Sequence, residues 1–211
     1  MPARRLADQF ESLEKQDYAV KFGLWVFLAS EILLFAALFG LYTSYRLMYP
    51  ADFAHAAAHN NVAIGTINTL ILITSSATVA LALWAVRGGL MRLASGLVLF
   101  SIACGVVFLI LKGIEYGQHF HAGLYPGEAY RNTELTSRGA KMFFNLYYLI
   151  TGLHAIHVVV GLIVLCWLLE GSLRGRFGPS NQVRFELGTL YWHLVDIVWI
   201  FVWPLLYLLR E

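Results

Sequence analysis

Charge is what this sequence has least of. Only 13% of its 211 residues are Asp, Glu, Lys or Arg, against about 25% in an ordinary soluble domain. Hydrophobic residues make up 59% and aromatic residues 15%, and the mean hydropathy is +0.65. Water cannot be the main solvent of such a chain. A formal net charge of +2 is also too small to point to a nucleic acid. Cysteine is nearly absent. Cys104 and Cys166 lie in apolar runs with neither C-x-x-C nor C-x-x-C-H spacing, which excludes a haem attachment site, a thiolate metal centre and a disulfide framework. Two buried, inert thiols are the expectation. Also missing are H-E-x-x-H, G-x-S-x-G, a glycine-rich phosphate loop and any adjacent pair of histidines, so no hydrolase or nucleotide-binding signature is present.

What is there is a set of long apolar runs. About 20 such residues cross the hydrocarbon core of a bilayer, and five runs qualify, at residues 22–45, 64–86, 93–111, 142–169 and 187–208. The fold class expected is all-α, a polytopic bundle of five transmembrane helices. Residues 1–21 form a polar cytoplasmic segment without the apolar core of a signal peptide, and 22–211 form a single domain. Residues 46–63, 87–92, 112–141 and 170–186 read as connections. No fixed-period repeat occurs, and an odd span count argues against an inverted-repeat transporter.

Lys and Arg set the expected direction. Arg4, Arg5, Lys15, Lys21, Arg87, Arg92, Arg174, Arg176 and Arg184 share the side of the N-terminus, nine of the fifteen; Arg46, Lys112, Arg131, Arg138, Lys141 and Arg210 lie opposite. The positive-inside rule then puts the N-terminus in the cytoplasm and the C-terminus outside. Trp25, Trp84, Trp167 and Trp203 fall near span ends as an aromatic belt would, whereas Trp192 and Trp199 lie deeper and read as packing residues.

Polar residues inside the spans are the candidates for function. Glu31 in "FLASEILLF", His154 and His157 in "TGLHAIHVVVG", and His193 and Asp196 in "YWHLVDIVWIF" fall at similar depths. A charged side chain at the centre of a membrane helix costs about 2.5–3.5 kcal/mol on insertion scales, so these faces must turn inward. Both pairs are spaced i,i+3 and share a helix face. The expected arrangement has Glu31 or Asp196 meeting the span-four histidines across a helix interface. The result would be a satisfied polar network, a proton-related path, or a three-histidine zinc site with a carboxylate. Asn68, Thr69, Thr74, Ser75 and Ser76 read as packing residues that bond between helices or to their own backbone, and Gly152 and Gly161 as points of close helix approach. Lys112 and Glu115 in "KGIEY" read as an interfacial ion pair worth a few tenths of a kcal/mol. His55, His59, His119 and His121 read as solvated loop residues. Three intramembrane histidines are too few to ligate the haems and copper of a catalytic oxidase subunit.

In order and spacing, "FLASEILLF", "INTLILITSS", "KGIEY", Phe143–Phe144, "TGLHAIHVVVG" and "YWHLVDIVWIF" resemble subunit III of the haem-copper respiratory oxidases, in a five-helix form without the first two helices of longer members. The resemblance covers nearly the whole chain. It implies a non-catalytic subunit of a bacterial inner-membrane complex, without haem or copper of its own. These cofactors belong to catalytic subunit I, the expected partner, and to its neighbours such as subunit II. It further implies that Glu31 is the family's carbodiimide-reactive carboxylate, that the subunit sustains proton uptake and protects the catalytic centre, and that phospholipid binds beside it. Ala155 stands where many relatives have glycine. Cytochrome c oxidase is the favoured complex; a nitric oxide reductase accessory protein, an intramembrane zinc hydrolase and a proton-coupled carrier are the competing readings.

Overall fold

A computed structural model describes residues 6–179 and 181–209; Arg4, Arg5 and Arg210, used above for orientation, lie outside them. Every regular element among the described residues is helical: α1 (Leu13–Met48), α2 (Pro50–Ala57), α3 (Val62–Arg87), α4 (Met91–His121), a single 3₁₀ turn (Gly127–Ala129), α5 (Arg138–Leu173) and α6 (Val183–Trp203), which runs on into a π-helical turn, Pro204–Leu208. Five of these are long and apolar enough to cross a membrane. Each expected span lies inside one of them, extended at the ends by the polar residues that hydropathy discounts. α1 therefore starts within the N-terminal polar segment, and α4 runs ten residues past 111. α2 is new, its start marked by proline at the first helical position.

Local chemistry sets the ends. Ser12, Asn61 and Ser137 each accept the backbone N–H three residues on, at 3.2 Å, capping α1, α3 and α5. α3 closes with Leu90 N–H on Ala85 O at 2.8 Å and Gly89 N–H on Val86 O at 3.1 Å. This Schellman pattern needs the left-handed φ of +74° at Gly89, and Gly123 and Gly175 repeat it at the ends of α4 and α5. Pro204 has no N–H for the α ladder, and the backbone widens after it. Two of the carbonyls of this turn are met by side chains, Leu205 O by Tyr42 Oη at 2.8 Å and Leu206 O by Asn60 Nδ2 at 2.9 Å.

α3, α4, α5 and α6 pack in a closed ring, and α1 lies outside it against α5 and α6. Only Leu28, Phe35 and Tyr42 of α1 are buried, one stripe at seven-residue spacing, so a single narrow seam holds this helix. Inside the ring large side chains pack directly against glycine backbone. A Cβ on Gly161 would come within 2.7 Å of the Trp192 ring. Gly152 differs from the expectation: a Cβ there would meet only Tyr116 Oη, at 3.9 Å, so no neighbour packs tightly against this face of α5. Trp192 and Trp199 are buried in the core, and Trp25, Trp84 and Trp167 are exposed. Cys104 is half-buried and Cys166 exposed. The expectation of two buried thiols thus fails at both, most clearly at Cys166, which lies on the outward face of α5.

Candidate functional site

The intramembrane polar residues divide between two surfaces. On the outer seam, His157 of α5 turns toward α1. Its Nδ1 lies 2.8 Å from Leu153 O and its Nε2 lies 2.7 Å from Glu31 Oε2. A carbonyl can only accept, so Nδ1 carries a hydrogen. The contact to Glu31 then has two forms, imidazolium with carboxylate or imidazole with carboxylic acid. Either way one proton is shared and the pair is neutral overall, which removes the cost of an isolated charge. Phe35 closes the pair from one side, edge-on to His157 at 5.2 Å, and Tyr191 Oη reaches His157 O at 3.4 Å. The two side chains remain 14% and 15% exposed, so the pair opens onto the surface beside α1.

His154 lies one helical step away and faces the other way. It is fully buried between Phe108 and Trp199, with ring centroids at 5.6 and 5.1 Å, and neither nitrogen has a direct hydrogen-bond partner. His193 and Asp196 turn toward α3, not α5. His193 Nδ1 and Ser76 Oγ share a 2.7 Å hydrogen bond, and Asp196 is buried on the same face, beside the Ser76 hydroxyl. Of the two carboxylates expected to meet the span-four histidines, Glu31 does and Asp196 does not. His154, His157 and His193 point in three directions, which removes the three-histidine zinc site. Among the described residues, no group of three or more His, Cys, Asp or Glu side chains is placed to hold a metal.

Hydrogen bonds also stitch the ring. Trp192 Nε1 donates to Ser75 Oγ at 3.0 Å and Trp199 Nε1 to Thr69 Oγ1 at 3.1 Å. Thr74 instead bonds back to Leu70 O on an exposed face. Asn68 is buried without a partner for its amide.

The second polar centre was placed wrongly by sequence reasoning. Lys112 and Glu115 form their ion pair at 2.9 Å, but they are 4% and 1% exposed. They lie inside the bundle because α4 continues two and a half turns beyond Lys112. All three ammonium hydrogens are used, by Glu115 Oε2, Tyr147 Oη and Tyr207 Oη, each at 2.9 Å. Tyr207 in turn donates to Glu115 Oε2 at 2.8 Å. The Tyr116 and Trp199 rings stand 5.2 and 5.4 Å from the ammonium, within cation–π range. Tyr116 is held by Thr151, whose own hydroxyl is committed to Tyr147 O. His119 is likewise no loop residue; it is buried at the end of α4 against Phe144, Tyr147 and Tyr148. No local spacing foretells this centre, because Tyr147 and Tyr207 are 35 and 95 residues from Lys112. Only the abundance of tyrosine, 11 in all, hinted at partners for a buried cation. In the loop after α4, burial pushes the Tyr130 phenol up from its ordinary pKa while its hydroxyl donates to Leu135 O.

Fold and site together define a class: an all-α integral membrane protein that pairs basic with acidic side chains, Lys112 with Glu115 and His157 with Glu31, within its helix bundle. The family follows from comparison. The model of cytochrome c oxidase subunit III matches residues 13–210, and the chain belongs to that family. It is 33% identical over 199 residues to a haem-copper oxidase subunit I+III of Aeropyrum pernix, covering 90% of this chain and 22% of that longer protein. Cytochrome c oxidase subunit 3 of Thermostichus vulcanus is 32% identical, covering 94% of this chain and 90% of its own. A probable quinol oxidase subunit 3 of Staphylococcus saprophyticus is 27% identical, with 90% and 88% covered.

Proposed function

We propose that this chain is the non-catalytic subunit III of a cytochrome c oxidase in a bacterial inner membrane, docked on the catalytic subunit I with subunit II nearby. Its N-terminus is cytoplasmic and its C-terminus external. The complex reduces oxygen and translocates protons; haem and copper reside in the partner subunits. The observation that carries this reading is the Aeropyrum pernix relative, whose name joins subunits I and III in one protein and which matches 90% of this chain. A fold fused to subunit I in one organism is expected to dock on it as a separate chain in another.

Within the complex, Glu31 and His157 hold their shared proton at an accessible seam. We assign them to proton handling near the catalytic subunit, which sustains proton uptake and slows turnover-linked inactivation. The Lys112 ammonium, with all three hydrogens committed, serves bundle architecture, as do the hydrogen bonds of Ser75, Ser76, His193 and Thr69. The groove between α1, α5 and α6, lined by Leu24, Phe27, Val160, Trp167, Leu187 and Tyr191, is apolar enough for a phospholipid acyl chain.

Mild-detergent purification through a tag on this chain tests the assignment. Co-purification of a large multi-helix partner with haem absorption bands is expected. The haem types distinguish an oxidase from a nitric oxide reductase, and electron-donor assays distinguish cytochrome c from quinol. A colourless chain purifying alone would overturn the reading.

A further inference from the structure

At the end of the bundle that carries the N-terminus of α4 and the C-terminus of α5, an open cleft of about 480 Å³ is lined by Met91, Arg92, Ser95, Ser172, Leu173 and Gly175. Four features of this cleft converge. First, α4 begins without a side-chain cap; Met91 and Ala94 N–H groups donate to Gly89 O and Leu90 O, which leaves the N–H groups of Arg92 and Leu93 without an intrahelical acceptor at the positive end of the helix dipole. Second, Ser172 is only 4% exposed and its Oγ has no hydrogen-bond partner, which leaves a buried hydroxyl donor without an acceptor. Third, Arg92 is the one charged residue in the lining, and no carboxylate faces it there. Fourth, the carbonyls of the adjoining α5 terminus are occupied: Arg174, Gly175 and Arg176 N–H groups donate to Glu170, Ser172 and Gly171. The negative end of α5 is therefore capped beside the positive end of α4. Amides, a hydroxyl and a guanidinium with nothing to accept their hydrogens describe a site for an oxyanion.

We propose that this cleft binds a phosphate group, the head of an anionic phospholipid. Leu90, Leu93 and Leu173 stand exposed around it, apolar flanks suited to acyl chains and not to a freely soluble ion. Arg87, Arg174 and Arg176 lie at the same end of the bundle, where they raise the local concentration of anionic headgroups. Ser95 Oγ donates to Met91 O at 2.9 Å, so Ser172 is the hydroxyl left to bind.

The test is native mass spectrometry of the purified, delipidated complex titrated with phosphatidylglycerol, and separately with inorganic phosphate. The wild type is compared with Ser172→Ala, Arg92→Gln and the control Arg176→Gln. The control removes the same charge at the same end of the bundle but outside the lining. Loss of a hydrogen bond to a charged group predicts that one phosphatidylglycerol binds about tenfold more weakly in each of the first two variants, with the control unchanged. If inorganic phosphate binds alone with the same residue dependence and displaces the lipid, the site stands and the free ion is a source. If phosphate has no effect on the lipid, the site stands and the headgroup needs its chains. Equal binding in all four proteins, or an equal loss with Arg176→Gln, overturns the proposal. Arg92 is exposed, so its variant retains the fold even if Ser172→Ala perturbs the helix end.

Discussion

Glu31 and Glu115 are both carboxylates paired with a basic side chain inside a membrane protein, yet their surroundings differ in every respect that governs chemistry. Glu115 lies in the closed ring, 1% exposed, with Lys112 and Tyr207 on one oxygen. Glu31 lies on α1, which is held by a single stripe of buried residues, and its partner is one histidine that it meets on a surface-exposed seam. The first pair has no room for solvent and no spare donor on its ammonium, so it can only hold structure. The second shares one hydrogen between a ring nitrogen and a carboxyl oxygen and opens onto the surface beside α1. Burial alone thus says little about function, and the number of committed hydrogens says more.

The comparison breaks first at the core. Replacing Glu115 by Leu strands a buried ammonium, and the loss should be about 3–5 kcal/mol. Unfolding of the purified complex with added denaturing detergent should show it, together with poor recovery of the assembled protein. Lys112→Met combined with Glu115→Leu should regain a large part of that loss, because an apolar pair of similar volume leaves no orphan charge. A double variant as unstable as the single one would mean that the tyrosine hydroxyls, not the ions, dominate.

Packing gives the next effect in size. Gly161→Ala drives a methyl group against Trp192 and should cost about 1–3 kcal/mol, whereas Gly152→Ala, with only Tyr116 Oη at 3.9 Å, should change thermal stability little. Similar losses at both sites would contradict the uneven spacing between α5 and its neighbours.

A smaller structural effect is expected at the end of α1. Tyr42→Phe removes the bond to Leu205 O and should cost about 0.5–1.5 kcal/mol, read as weaker retention of α1 in limited proteolysis. For Glu31 the expected change is chemical, with stability nearly untouched. A hydrophobic carbodiimide should label Glu31 and spare Glu115, as peptide mass mapping can show. Glu31→Gln should assemble normally yet lose oxidase activity sooner during turnover. Labelling confined to Glu115, or unchanged inactivation kinetics in the variant, would undo the assignment of the two sites.

The helices were legible because hydropathy and helix length answer to one solvent, the bilayer. Five runs of apolar residues mark five spans, and the ends erred only where polar residues such as those of 112–121 continued the helix inside the protein. α2 escaped notice because eight residues with one Pro at the start look like any connection until Phe53, Ala56 and Ala57 are seen buried.

By itself the sequence determined the all-α spans and the i,i+3 pairing of polar residues on one helix side, since each depends on neighbours within a turn or two. Which face meets which was decided only in the tertiary structure. His154 and His157 share a helix side by spacing, yet the helix rotation between them is enough to give one to Glu31 and bury the other between Phe108 and Trp199. Asp196 and His193 went to α3, and Lys112 found tyrosines from α5 and the turn after α6. These outcomes depend on how far α1 and the ring helices rotate about their axes, and that rotation is set by packing contacts between residues distant in the chain.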